Sequence, residues 1–292
     1  LQNFLACSKT EYVYWVEVSE KNLRNPVVLR SAPINPGVDI KRCMFDKFES
    51  VILTSATLCC PNGSEKGGFE YFAGRIGLED YEQLRLGSPY DYEKQVTMYI
   101  ESEMPPPESR EFLQRASEKI KKYVLQTEGR AFVLFTSFQM LQTVADMLSE
   151  WFSENGFELL VHGSSVDRTE LLRRFRLGQK CVLFGTDSFW QGVDVPGQAL
   201  SNVIITKLPF AVPSHPLIEG RIEHLKSHGE NPFYCYQLPQ AIIKFKQGFG
   251  RLIRSKNDKG IIVVLDSRIL HKSYGREFMS AIEKCRVKVS AD

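Results

Sequence analysis

The stretch Gln247-Gly248-Phe249-Gly250-Arg251-Leu252-Ile253-Arg254 carries the side chains best placed for chemistry. Two arginines lie three residues apart, with a glutamine four residues before the first, so a helical segment would set all three on one face. Gly250 offers room for a close approach. Guanidinium groups stay charged and bond phosphate oxygens in pairs, so two of them at a fixed edge suit a polyphosphate. An ordinary basic surface helix with ion pairs would use the same residues.

Two further segments have chemistry-bearing residues where apolar runs end. In Phe135-Thr136-Ser137-Phe138, hydroxyls and backbone N–H groups at the start of a helix make a phosphate-sized site. A simple N-cap by Thr136 or Ser137 would need no ligand. The long loop from Gly185 to Gly197 packs glycines, hydroxyls, two aromatics and two carboxylates together, which is unusual for a plain connection. Thr186 would hold a strand phosphate. Phe189 or Trp190 would stack on a base or belong to the core. Asp194 would accept from a ribose or from an arginine.

The elements that must position these residues can be read from periodicity. Strands are expected at 96–100, 131–135, 158–161, 181–185, 202–206 and 260–265, and helices at 111–126, 139–153, 168–177, 216–228, 239–254 and 274–284. Their alternation predicts an α/β fold with a parallel sheet covered by helices on both faces, with function in the loops at the carboxyl ends of the strands. Upstream, 12–18 and 27–33 read as a hairpin, followed by a short helix to about Phe48. The run Ser50 to Leu58 reads as a buried strand ending in hydroxyls. Glycine-rich sequence from Pro61 to Ser88 reads as an irregular connection.

The chain has 292 residues, 43% hydrophobic and 25% charged, with net charge +2. That charge is too small to imply nucleic acid by itself, so any such contact must come from local patches. No apolar run is long enough to span a membrane. Seven cysteines (7, 43, 59, 60, 181, 235 and 285) form no CxxC pair, which favours reduced thiols, a cytoplasmic location and no metal or iron–sulfur site within this sequence. The chain starts at Leu1 in what reads as mid-domain sequence, so it is expected to be part of a longer protein. Weaker candidates are the basic helix with Arg168, Arg173, Arg174 and Arg176, read as DNA contacts or a solvated face, together with His162, Lys244 and Lys246.

Taken in order, four blocks resemble the C-terminal motor half of superfamily 2 DNA helicases of the XPD/DinG-like branch. Ser55-Ala56-Thr57 is similar to motif III, Phe135 to Phe138 to motif IV, Gly185 to Gly197 to motif V, and Gln247 to Arg254 to the QxxGRxxR of motif VI. Lys207-Leu208-Pro209-Phe210-Ala211, Asn231-Pro232-Phe233 and Leu238-Pro239 resemble DinG in particular. Gln191 stands where many members carry Glu. In this family two RecA-like domains clamp one ATP and carry single-stranded DNA across their tops.

The resemblance implies a RecA-like, P-loop NTPase-type sheet, preceded by a small remnant of another RecA-like domain. Residues 1–60 would end the first motor domain, 61–95 would connect, and 96–292 would form the second, with a helical elaboration at about 209–239. Arg251 and Arg254 would be arginine fingers, with Gln247 arranging the nucleotide or attacking water. Gly192, Asp194 and Gly250 would line the nucleotide. Thr136, Ser137, Thr186, Phe189 and Trp190 would face DNA, and Ser55, Ala56 and Thr57 would couple hydrolysis to movement.

No Gly-Lys dipeptide and no DEAD- or DEAH-like box occurs in the sequence. ATP and Mg²⁺ would therefore be bound mostly by a missing half, and the chain alone is expected neither to hydrolyse ATP nor to unwind DNA. Any iron–sulfur cluster would also belong to that half. The expected function is the motor domain of an ATP-dependent, 5′→3′ DNA helicase. The alternative is a catalytically silent RecA-like module that binds single-stranded nucleic acid or a partner protein; an RNA-directed helicase is a third reading.

Overall fold

A computed structural model describes residues 2–7, 9–18, 26–60, 68–192 and 197–291. The chain divides into two compact units, Leu1–Arg85 with Phe210–Gln240, and Leu86–Pro209 with Ala241–Asp292.

The second unit is built on seven strands: β3 (Val96–Glu101), β4 (Ala131–Leu134), β5 (Glu158–Val161), β6 (Cys181–Gly185), β7 (Asn202–Ile205), β8 (Gly260–Val264) and β9 (Arg286–Ser290). All pair in parallel, in the order β5-β6-β4-β7-β8-β3-β9. Every residue of β4, β6 and β7 is buried. That is why their sequences are near-continuous apolar runs rather than alternating ones. The helices Glu111–Gln126 and Phe138–Glu154 supply Phe112, Ile120, Leu141, Val144 and Leu148 to one core, in which Val133, Phe184 and Val263 also lie.

Strand β9 is an addition to the expected set. Arg-Val-Lys-Val-Ser is short and mostly exposed, and it forms the sheet edge beside β3, where a strand needs little hydrophobic pattern. At the other strand exits, buried Asp266 accepts from Leu208 N (2.8 Å) and from Arg268 Nε and Nη2 (2.9 and 2.7 Å), tying the chain after β7 to the chain after β8.

The first unit holds the expected hairpin, β1 (Tyr12–Val18) with β2 (Val27–Pro33), antiparallel, and the short helix at Gly37–Ile40, extended by a wider turn to Phe45. The helical elaboration expected at about 209–239 in the second domain corresponds to Phe210–Gln240, which groups with this unit. Its helix Pro216–Ser227 lies against β1, Gly220 facing Val13 with no room for a side chain, and Arg221 Nε donates to Ile34 O at 3.0 Å.

One expectation for this unit fails. Residues 51–58 form no strand, and Ile52 is 89% exposed. An apolar, β-branched run becomes a strand only where neighbours offer hydrogen bonds, and among the described residues no strand pairs with it. Among the described residues, no helix is long and apolar enough to cross a membrane.

Candidate active site

The arginines of the Gln247–Arg254 stretch do not share a helical face. The helix Leu238–Phe249 ends before them. Gly250 N still reaches Lys246 O at 2.9 Å, but Arg251 N turns to Gly248 O at 3.2 Å, closing a tighter last turn. The segment beyond this turn is irregular yet tightly held. The carboxylate of buried Asp258 accepts from Arg254 N and Ser255 N, both at 2.8 Å, and from Ser255 Oγ at 2.7 Å. Gln95 Nε2 donates to Ser255 O and Asp258 O (2.9 and 2.8 Å), and Tyr90 OH donates to Arg254 O at 2.8 Å. Leu252 and Ile253 are each 2% exposed and anchor the segment in the core.

The two arginines therefore differ. Arg251 is buried, and its Nε and Nη2 donate to Trp190 O at 3.2 and 2.6 Å. Arg254 has an exposed side chain on a locked backbone. Gln247 Oε1 is buried without a hydrogen-bond partner, an acceptor held ready for a donor. The glycine that permits close approach is Gly248 rather than Gly250. A Cβ at 248 would sit 3.1 Å from Trp190 ring atoms, whereas at 250 it would meet only the carbonyls of its own preceding turn.

The loop after β6 packs beneath these groups. Gly185 is required because a Cβ there would overlap Phe189 Cβ at 2.5 Å. Phe189 and Trp190 are fully buried, and Trp190 Nε1 donates to Phe135 O at 3.0 Å. Both aromatics are core, so the expectation that they stack on bases is corrected: an indole whose face and N–H are both occupied has nothing left to offer a base. Thr186 is likewise buried, its hydroxyl 2.9 Å from His162 Nδ1. It shapes the loop from inside rather than presenting its side chain to a phosphate. His162 Nε2 lies 3.4 Å from Ser188 Oγ. Burial, and then the Arg168 charge, hold the His162 pKa below the ordinary value of 6.5, so the imidazole is neutral at neutral pH.

Arg168 proves to be the clamp of this loop. Its Nη2 donates to Ser188 O, Gln191 O and Gly192 O at 2.9, 3.2 and 2.8 Å, and its guanidinium lies 5.5 Å from the Phe189 ring. Gly192 adopts φ +63°. Lys244 pairs with Asp187 and lies over the Trp190 ring. Arg173 and Arg174 pair with Glu170, as a solvated face would. Asp194 lies outside the described residues.

Thr136 is half-buried, and exposed Ser137 caps the helix Phe138–Glu154, its Oγ accepting from Met140 N at 3.2 Å. In the first unit, Ser55 and Ala56 are exposed, and Ser55 Oγ lies 3.2 Å from both Thr57 N and Thr57 Oγ1. Tyr90 and Gln95 escape a reading of the sequence because they lie 164 and 160 residues from the backbone they hold, and Asp258, four residues past Arg254, because nothing in its type announces that its carboxylate turns back on the main chain. Arg168 stands out there only as one of several basic residues, since nothing in its neighbours announces three carbonyl acceptors 20 to 24 residues away.

The comparisons fit this arrangement. The family described as helicase C-terminal domain matches residues 120–285, more than half of the chain. The 3′-5′ exonuclease DinG of Bacillus subtilis (strain 168) is 35% identical across 100% of this chain and 32% of its own length. The ATP-dependent DNA helicase YoaA of Escherichia coli (strain K12) is 34% identical across 93% of this chain and 41% of its own. The chain thus spans well under half of these relatives. A solved structure titled XPD_APO superposes with TM-score 0.67 over 98% of this chain and 56% of that one at 17% identity, and one titled XPD_Helicase gives 0.66 over 98% and 49% at 19%. Those likenesses show the RecA-like α/β fold. The chain belongs to the helicase C-terminal domain family.

Proposed function

We propose that this chain is the C-terminal motor portion of an ATP-dependent DNA helicase that moves 5′→3′ along single-stranded DNA. The observation that carries the reading is the Gln247–Arg254 segment: an exposed Arg254 on a backbone fixed by Asp258 and Tyr90 and, through Ser255 and Asp258, by Gln95, in the same segment as a buried glutamine oxygen with no partner. Phosphoryl transfer is catalysed by positioning and electrostatics, and a rigidly mounted guanidinium supplies both. Arg254 is the finger. Arg251 braces the finger segment against the Trp190 carbonyl, and Gln247 orients the nucleotide or the attacking water. Gly192, Asp194 and Gly250 lie along the nucleotide edge. Thr136 and Ser137 meet the DNA backbone, and Ser55, Ala56 and Thr57 couple hydrolysis to motion.

ATP and Mg²⁺ are held mostly by a preceding RecA-like domain, of which residues 1–60 are the end; 61–95 connect it to the second motor domain. Exposed Val16, Val18, Val27, Leu29 and Ile52 support a partner domain on the first unit. The chain by itself neither hydrolyses ATP nor unwinds DNA. A cytoplasmic location agrees with the free cysteines, of which three are exposed.

The test is ATP hydrolysis by the parent chain with and without single-stranded DNA, native against Arg254→Ala. DNA-stimulated turnover should fall by about 10³–10⁵ in the variant. Absence of DNA-stimulated turnover in the native protein would favour a silent nucleic-acid-binding module, and unchanged turnover in the variant would remove the finger assignment. Turnover by the isolated chain would refute its inactivity alone.

A further inference from the structure

With Phe189 and Trp190 in the core, the exposed aromatic ring at this end of the sheet is Phe138, at the exit of β4. It is 54% exposed, yet it is not loosely placed. Its centroid lies 4.8 Å from that of His162, the rings tilted by 44°. It also lies over Gly163, where a Cβ would come within 3.1 Å of Phe138 Cε1 and 3.4 Å of Cδ1. Gly163 adopts φ +88°, a backbone that favours glycine. A bare residue thus keeps space for a ring that stays half in water.

Beneath it, His162 meets the buried Phe189 edge-on, with centroids 4.8 Å apart at 65°, and bonds Thr186 through Nδ1 at 2.9 Å. The platform therefore rests on the loop that Arg168 and Arg251 grip. Close to this pair in sequence or bonded to it, Ser137, Gly163, Ser164, Ser165 and Ser188 are small, uncharged and exposed, and the charge that acts on His162 is the positive one of Arg168. Asp187, within the same loop, is neutralised by Lys244.

We propose that Phe138, supported from below by His162, is a base-stacking platform for single-stranded DNA, and that a base seated on it reaches the 186–192 loop through the Phe138–His162–Phe189 stack. An exposed π-face accepts any unpaired base without hydrogen-bond readout, and the small hydroxyl residues near it in sequence leave room for the sugar-phosphate chain. A base in a duplex has no free face to offer. The inference rests on the helicase reading above and adds a contact that reading does not contain.

The experiment measures binding of a labelled oligothymidylate to the parent chain by fluorescence anisotropy, with one abasic residue scanned along the strand. Phe138→Ala should weaken binding by about 5- to 100-fold, and Phe138→Tyr should stay near the native value. At one strand position the abasic penalty seen with native protein should vanish in Phe138→Ala. A merely structural phenylalanine would not produce that loss of discrimination. Phe138→Leu, which keeps the apolar bulk without the π-face, gives the same reading if the alanine variant fails to fold. Native affinity in both variants, or an abasic profile unchanged in both, overturns the platform alone when DNA-stimulated hydrolysis persists. A native parent that binds no single-stranded DNA overturns the platform and the helicase reading together.

Discussion

Two apolar runs that lead into hydroxyls meet opposite fates. Cys181–Gly185 is buried at every residue, and the loop after it has its carbonyls held by Arg168 and Arg251. Residues 51–58 have similar composition, but Ile52 is 89% and Leu53 38% exposed, and the hydroxyls of Ser55 and Thr57 bond one another. The first run lies between β5 and β4. The second has no strand beside it among the described residues. A β-branched run expresses a willingness to be a strand, and its neighbours decide. Motif chemistry is written locally; the rigidity that makes it useful is contributed from far away in sequence.

The contrast breaks first, if it is wrong, at the buried aromatic. Trp190→Ala removes a fully buried indole and its bond to Phe135 O. It should cost about 3–5 kcal/mol in urea denaturation. Ile52→Ala, on the open run, should stay within about 0.5 kcal/mol. Comparable losses at the two sites would mean that residues 51–58 are packed in solution.

The next effect in size concerns Asp258. Replacement by alanine leaves the N–H groups of Arg254 and Ser255 without their acceptor, at about 1–3 kcal/mol, and frees the backbone that presents Arg254. DNA-stimulated ATP hydrolysis of the parent should drop with little change in the KM for ATP, because ground-state binding does not need a fixed finger. Ser55→Ala, which loses only local contacts with Thr57, should leave stability in urea denaturation unaltered. A large stability loss there would erase the distinction between a mounted and an unmounted motif.

How far the sequence carries is visible at these positions. The parallel sheet was legible because doubly buried strands are uninterrupted apolar runs, and β9 was not, because an exposed edge strand needs no such pattern. The motif blocks were legible as residue types in order. Their geometry was less so. Helical periodicity runs through Leu252 and Ile253, which are buried, yet the helix stops at Phe249: Arg251 N and Leu252 N close tighter turns on Gly248 O and Phe249 O, and Asp258 then takes the N–H groups of Arg254 and Ser255. Phe189 and Trp190 in a polar loop read equally as stackers or core, and only the space left by Gly185 and Gly248 decides for core.

Arg168 gives a smaller effect that sharpens the same point. Lysine keeps the charge, but its ammonium stops one atom short of Nη2, from which all three bonds come, and it lacks the planar group that lies against the Phe189 ring. Arg168→Lys should therefore lose about 0.5–1.5 kcal/mol, nearly as much as Arg168→Ala, since the carbonyls of residues 188, 191 and 192 lose their donor in both. Full rescue by lysine, measured by denaturation and by hydrogen exchange at residues 188–192, would show that the charge alone holds the loop.

The smallest effect is a pH dependence confined to the braced loop. Burial, and then Arg168, depress the His162 pKa below 6.5 in the folded state. The unfolded chain therefore takes up a proton first as pH falls. The contribution of neutral His162 is fully present above its ordinary pKa, declines as pH falls through it, and stops changing below the depressed folded value. Protonation also sets a cation against Arg168 and takes away the neutral ring's capacity to accept from Thr186 or Ser188. Native protein should thus lose stability between pH 7 and 5 relative to His162→Gln, whose amide does not titrate, and hydrogen exchange should place the difference at residues 186–192 while residues 51–58 respond equally in both proteins. Parallel stability curves would mean that the imidazole is solvated and that the Phe138–His162–Phe189 stack is not held from below.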